Sequence, residues 1–184
     1  MLLHRYSQGV YFALYCTYPS ICLRWRLLKK EPALHIEIPD PNNTEEFAKR
    51  CLEFLADTPL GGLVPPVLAD VSSFVVSAIE SDEMGAWQVV DDGKVVGVCG
   101  VLSFPLYFCP SVLMAQELCW WVSPDYRGTG AAKMMRDKLM EWKKQKGADI
   151  SLMIAIENDC ADRVGRLYQR DGYIPLEKSF ARAL

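Results

Sequence analysis

The sequence predicts an α/β layer domain with elements in the order β-α-α-β-β-β-α-β-α-β(β). Three observations carry that expectation. Short apolar runs alternate with segments of helical period from Leu34 onward. Two of the runs are joined by Asp91-Asp92-Gly93, a hairpin signal. A third, Glu117–Val122, leads through a glycine-containing turn into a helix whose Met135, Leu139 and Trp142 fall on one side.

Taken in order, Leu34 to Ile38 alternates like a short strand and is broken by Pro39-Asp40-Pro41-Asn42-Asn43. Thr44 offers an N-cap for a helix through Phe47, Cys51, Phe54 and Leu55. Pro59–Pro66 reads as a Gly/Pro-rich break and Val67–Ile79 as a second helix. The hairpin strands are Ala86–Val90 and Lys94–Leu102. Ser103–Met114, with two prolines, reads as a long apolar loop before the strand Glu117–Val122. A helix is expected over Thr129–Lys146, a strand over Ile150–Ile156, a helix over Ala161–Arg170, and one or two closing strands over Tyr173–Arg182.

The chain has 184 residues, 51% apolar and 23% charged, enough to bury a core without disulfides or metal staples. Its net charge of −3 gives no basic footprint for nucleic acid, so no nucleic-acid partner is expected. The seven cysteines are odd in number and none sits at C-x-x-C spacing. Free thiols in a reducing compartment, and so a cytoplasmic protein, are the expectation. With two histidines, His4 and His35, sites built on several histidines are excluded, and no metal site is expected.

Residues 1–33 read as a separate apolar, basic extension before a domain over 34–184. Tyr6 to Leu23 carries no charged residue, and residues 1–30 hold five bases and no acid, leaving −8 on the remainder. Ser7, Gln8, Gly9, Thr17, Pro19 and Ser20 shorten its apolar core, which argues against a signal peptide or membrane anchor. A packed or interface-forming extension is favoured; membrane contact through residues 1–30 and a homodimer stay open.

The most informative stretch is VSPDYRGTGAAKMM, from Val122 to Met135. Glycines there let backbone N–H groups approach a phosphate, and a helix start presents unpaired N–H groups and its positive dipole end to the same anion. Arg127 offers charge-assisted contacts. The pattern is R-x-x-G-x-A, from Arg127, Gly130 and Ala132; no G-K-[ST] follows, so it is not a Walker A loop. The alternative is a surface turn that caps a helix.

This stretch resembles the pyrophosphate-binding motif of the GNAT superfamily of acyl-CoA-dependent N-acetyltransferases. A second segment, Arg166-Leu-Tyr-Gln-Arg-Asp-Gly-Tyr173, is similar to that family's LYxxxGF segment, and PLEKSFARAL resembles its last strand. The resemblance spans roughly residues 34–184. It implies a splayed mixed sheet flanked by helices, and acetyl-CoA as co-substrate. The strand ending at Val122 would pair with the pantetheine arm. The N–H groups of Arg127, Gly128, Thr129, Gly130, Ala131 and Ala132 would hold the pyrophosphate, and Asn158 would hydrogen-bond the cofactor or act as a turn or cap residue.

The implied reaction moves an acetyl group to a primary amine of a small molecule or protein by direct attack in a ternary complex. Tyr168 matches the family position that protonates the leaving sulfur; its other reading is a core aromatic. Glu117 is the best carboxylate for general base, with an ordered water chain as an equal candidate and a surface strand residue as the bland one. A backbone N–H near Val122 would face the developing oxyanion. Trp120 and Trp121 should point to opposite faces of the sheet. The alternative function is a catalytically weak module that binds acyl-CoA or a partner.

Overall fold

The computed structural model describes residues 32–183. The extension expected over residues 1–33 lies outside the described residues, apart from its last two. Five strands, β1 (His35–Glu37), β2 (Met84–Asp91), β3 (Lys94–Leu106), β4 (Cys109–Val122) and β5 (Ile150–Leu152), form one sheet in the order β1-β2-β3-β4-β5. All pairs are antiparallel except β4 with β5, which is parallel. The helices are α1 (Glu45–Ala56), α2 (Pro59–Leu63), α3 (Leu68–Glu80), α4 (Ala131–Gln145) and α5 (Ala161–Arg170). Among the described residues no helix is long and apolar enough to cross a membrane.

The sheet has an apolar cluster on each side. One holds Phe47 of α1, Val75 and Ala78 of α3, and Trp121 of β4. The other holds Trp87, Cys99 and Ala115 of the strands with Met135, Leu139 and Trp142 of α4. Met135 and Leu139 are fully buried, which is worth about 1.5–3 kcal/mol for each such side chain. Trp120 and Trp121, neighbours on β4, divide between the two clusters, as strand alternation requires.

The hairpin between β2 and β3 follows its turn chemistry: Asp92 and Gly93 both take positive φ, +48° and +79°. The stretch expected as a loop over Ser103–Met114 instead prolongs β3 and β4 into a hairpin turning at Tyr107 and Phe108. Both prolines are tolerated for a topological reason. β2 pairs with β3 only as far as Leu102, and β5 pairs with β4 only from Met114. Pro105 and Pro110 therefore each lie where one side of the strand has no neighbour to receive an N–H. Within Pro59–Pro66 the chain forms the one-turn helix α2, because Thr58 Oγ1 accepts from Gly61 N and Pro59 sits at its first position.

No closing strand forms among the described residues of Tyr173–Arg182. Pro175 removes a donor, the charged pair Glu177-Lys178 interrupts the alternation, and Ile174, Leu176 and Phe180 are exposed. The strand expected over Ile150–Ile156 stops at Leu152, and α4 begins two residues later than expected.

The short parallel pairing positions the site. β4 and β5 share only Met114–Gln116 against Ile150–Leu152. Beyond Gln116, β4 runs on to Val122 without β5 beside it, so the sheet is splayed there. At the point of divergence β4 has a bulge. Val101 faces Glu117 and Gly100 faces Cys119, which leaves Leu118 as the extra residue.

Candidate active site

Glu117 sits at the apex of the splay. It is 3% exposed. Its Oε2 accepts from Ile154 N, on the chain leaving β5, at 3.3 Å, and lies 3.3 Å from the hydroxyl of Tyr168 on α5. That hydroxyl is also 3.3 Å from Ile154 O, so its single proton has two acceptors. Residues 51 positions apart in sequence thus meet across one strand exit.

Burial pushes the Glu117 carboxyl up to about 7, against the opposing pull of the Ile154 N–H, the Lys143 ammonium and the Tyr168 hydroxyl. Burial, then the charge of Glu117, raises the Tyr168 phenol above its ordinary value. The pair is therefore a carboxyl poised near neutrality beside a phenol that keeps its proton. That combination suits proton removal by the first and proton donation by the second. A cleft of about 260 Å³ opens between α4 and α5, lined by Arg136, Met140, Met153, Tyr168 and Tyr173 among others. A larger depression on the outer face of α5, lined by Arg163, Arg166, Gln169 and Arg170, holds none of these groups.

At the far end of β4 the chain makes a 3-10 turn over Pro124–Tyr126 and enters α4. Gly128 and Gly130 have φ of +89° and +102°, with nothing within 4 Å of where a Cβ would project. Only glycine adopts these angles without strain, and the space beside both stays clear. The N–H groups of Ala131, Ala132 and Lys133 precede the first helical bond, which Met134 N makes to Gly130 O. Those of Arg127 and Thr129 are instead used by the turn, bonding Pro124 O and Tyr126 O. The open amides are thus that of Gly128 and those of Gly130, Ala131, Ala132 and Lys133. The unpaired edge of β4, this cradle and its clear space fit an extended thioester with a pyrophosphate group.

Other expected residues fall less simply. Val122 is buried, and its carbonyl accepts from Arg127 Nε at 3.2 Å. The Arg127 guanidinium also lies 3.7 Å from Asp57, so its side chain is folded back rather than held over the amides. The Asn158 oxygen accepts from Cys160 N, the turn arrangement that leads into α5. Trp120 Nε1 donates to Ala132 O, joining β4 to the start of α4.

Two residues escaped the sequence reading. Asp57, at the end of α1, accepts from Trp121 Nε1 and faces Arg127, tying α1 to the glycine turn; nothing in the local sequence signals this. Lys143 is 2% exposed. Its signal was present, because 143 completes the i, i+4, i+7, i+8 stripe begun by Met135, Leu139 and Trp142.

A model of the acetyltransferase (GNAT) family matches residues 50–173 of the chain. A search of curated protein sequences finds no match. Among solved structures, the chain is similar to a ribosomal-protein-alanine N-acetyltransferase from Brucella melitensis biovar Abortus 2308. That likeness has 17% identity and a TM-score of 0.60, over 83% of this chain and 99% of the other. It is similar to a predicted acetyltransferase with acetyl-CoA from Clostridium acetobutylicum, at 14% identity and TM-score 0.64 over 81% and 95%. It is also similar to an aminoglycoside acetyltransferase from an uncultured soil metagenomic sample, at 16% identity and TM-score 0.63 over 82% and 96%. At these identities the likeness is one of fold.

Proposed function

The chain belongs to the GNAT acetyltransferase family, and on that premise we propose that it moves an acetyl group from acetyl-CoA to a primary amine by direct attack in a ternary complex. The observation that carries this reading is the meeting of Glu117, Tyr168 and Ile154 where β4 parts from β5. The thioester supplies an activated acetyl group. The glycine turn and the amides of Gly130, Ala131 and Ala132 hold the pyrophosphate, while the free edge of β4 up to Val122 orients the pantetheine arm.

Glu117 takes the proton that the attacking amine must lose. A carboxyl near 7 is deprotonated in a useful fraction at neutral pH and is still basic enough to accept a proton. Tyr168 gives its proton to the departing sulfur. Its raised phenol keeps that proton available at every pH where Glu117 works. A backbone N–H on the free edge of β4 beside Glu117 faces the developing oxyanion, a kind of contact worth about 3–4 kcal/mol in acyl-transfer sites; the position near Val122 expected from the sequence lies instead at the pyrophosphate end of the strand. The acceptor is an amine-bearing small molecule or protein; both kinds occur among the names of the similar structures. The cytoplasm is the compartment proposed, in keeping with the free thiols of Cys51, Cys99, Cys109, Cys119 and Cys160.

The test is incubation with acetyl-CoA and a panel of amines, with thiol release and product mass as readouts. Amine-dependent thiol release with a product heavier by one acetyl group is the expected result. Tight coenzyme A binding without release for any amine would favour the binding module instead.

A further inference from the structure

Lys143 lies on α4 with its side chain in the core, 2% exposed. Its Nζ donates to Ser151 Oγ at 2.9 Å and Leu152 O at 3.1 Å, and lies 3.3 Å from Met153 Sδ. Three contacts match the three N–H bonds of an ammonium. No ion pair to Lys143 occurs among the described residues, although Glu117 is close enough for their charges to act on each other. Burial pushes the ammonium down to about 8, against the attraction of Glu117. A packing role alone is better filled by methionine, which leaves no charge in the core.

The contacts point to another role. Ser151 and Leu152 are the last paired residues of β5, and Ile154 follows two residues later with its N–H on Glu117 and its carbonyl near Tyr168. Lys143 therefore grips the departing strand immediately before the point where Glu117 and Tyr168 hold it. Tyr173 buttresses the same grip, with its hydroxyl 2.8 Å from Ser151 Oγ. The titratable groups around Glu117 are Tyr168 from α5, Lys143 from α4, Cys99 from β3 and Cys119 on β4 itself. Burial raises the Cys99 thiol, and a hydrogen bond with Cys51 together with burial raises that of Cys119, so both stay neutral. Lys143 is then the cation of this set.

We propose that Lys143 is a positioning residue for acetyl transfer: its ammonium fixes the strand exit that presents Ile154 to Glu117, and its charge favours the carboxylate form of Glu117. This rests on the reading of Glu117 as the base.

The experiment compares the full-length wild type with Lys143→Met, Lys143→Gln and Lys143→Arg. The Glu117 carboxyl is followed by carbon NMR on glutamate-labelled protein, assigned by the signal missing from Glu117→Gln. Removing a nearby opposite charge moves the midpoint upward by about one unit. In turnover, the acid limb of kcat moves with it. The rate at neutral pH falls about fivefold, as the deprotonated fraction drops from about half to about a tenth, and recovers in alkali. KM for acetyl-CoA stays unchanged, and Lys143→Arg restores both readouts. Lys143→Gln keeps a donor without the charge and serves if Lys143→Met does not fold. An unmoved Glu117 titration in the neutral variants overturns the proposal even if turnover falls. An inactive wild type overturns the acetyl-transfer reading instead, and the NMR titration still decides the hold of Lys143 on Glu117.

Discussion

Replacing Glu117 by Gln should stabilise the protein in alkali while removing its activity. In the folded chain burial holds this carboxyl at about 7, against an ordinary value of 4.5. Between those values the native state binds more protons than the unfolded chain, so this group lowers stability as pH rises through the window. The gap between those two values corresponds to about 3 kcal/mol once both states are ionised. Gln keeps a carbonyl that can accept from Ile154 N or the Tyr168 hydroxyl, and it carries no charge. The loss of attraction to Lys143 offsets part of the gain. Urea unfolding of both proteins at about pH 4.5 and about pH 8.5 reads the effect, with the slope of the transition checking that the unfolded states match. The variant's advantage should grow by up to about 3 kcal/mol between the two conditions. A stability difference independent of pH, or a variant that loses ground in alkali, would refute the assignment of a costly buried carboxylate to Glu117.

Two further outcomes follow from the cradle and from the sequence. Gly130→Glu places a side chain and a negative charge at a position with φ of +102° beside the open amides. Calorimetry should show loss of coenzyme A binding in a folded variant, and unchanged affinity would remove the amides from the account. A chain shortened to residues 31–184 should retain acyl transfer while its solubility or size-exclusion profile changes, since the family match begins at residue 50; a folded but inactive product would make the extension part of the site.

Local chemistry was the part of the fold most legible in the sequence. Asp92-Gly93 takes the two positive φ values that its residues favour. Met135, Leu139 and Trp142 all lie in the core where a 3.6-residue period puts them. Tyr168 and Glu117 were each readable as candidates, but their meeting depends on where β5 stops and α5 returns, which no local pattern records. Pro105 and Pro110 misled for a related reason: whether proline breaks a strand depends on which neighbours reach that far. Lys143 falls on the apolar stripe of α4, but its charge masks that signal, because lysine on an amphipathic helix ordinarily marks the solvent face; its partners Ser151, Leu152 and Met153 explain its burial. Arg127 reads from its motif as a phosphate contact, whereas Asp57, distant in sequence, draws its side chain back.

The decisive comparison is the steady-state turnover of Tyr168→Phe and wild type with acetyl-CoA and an accepted amine. The substitution removes one hydroxyl from a side chain that is 6% exposed and leaves the ring packed against Trp120 and Tyr173. If this phenol protonates the departing sulfur, kcat falls about 10²- to 10⁴-fold while KM for acetyl-CoA holds, the pattern of a group used only in the transition state. Equal kcat for the two proteins would contradict the account, leaving Tyr168 as packing and Glu117 without its partner.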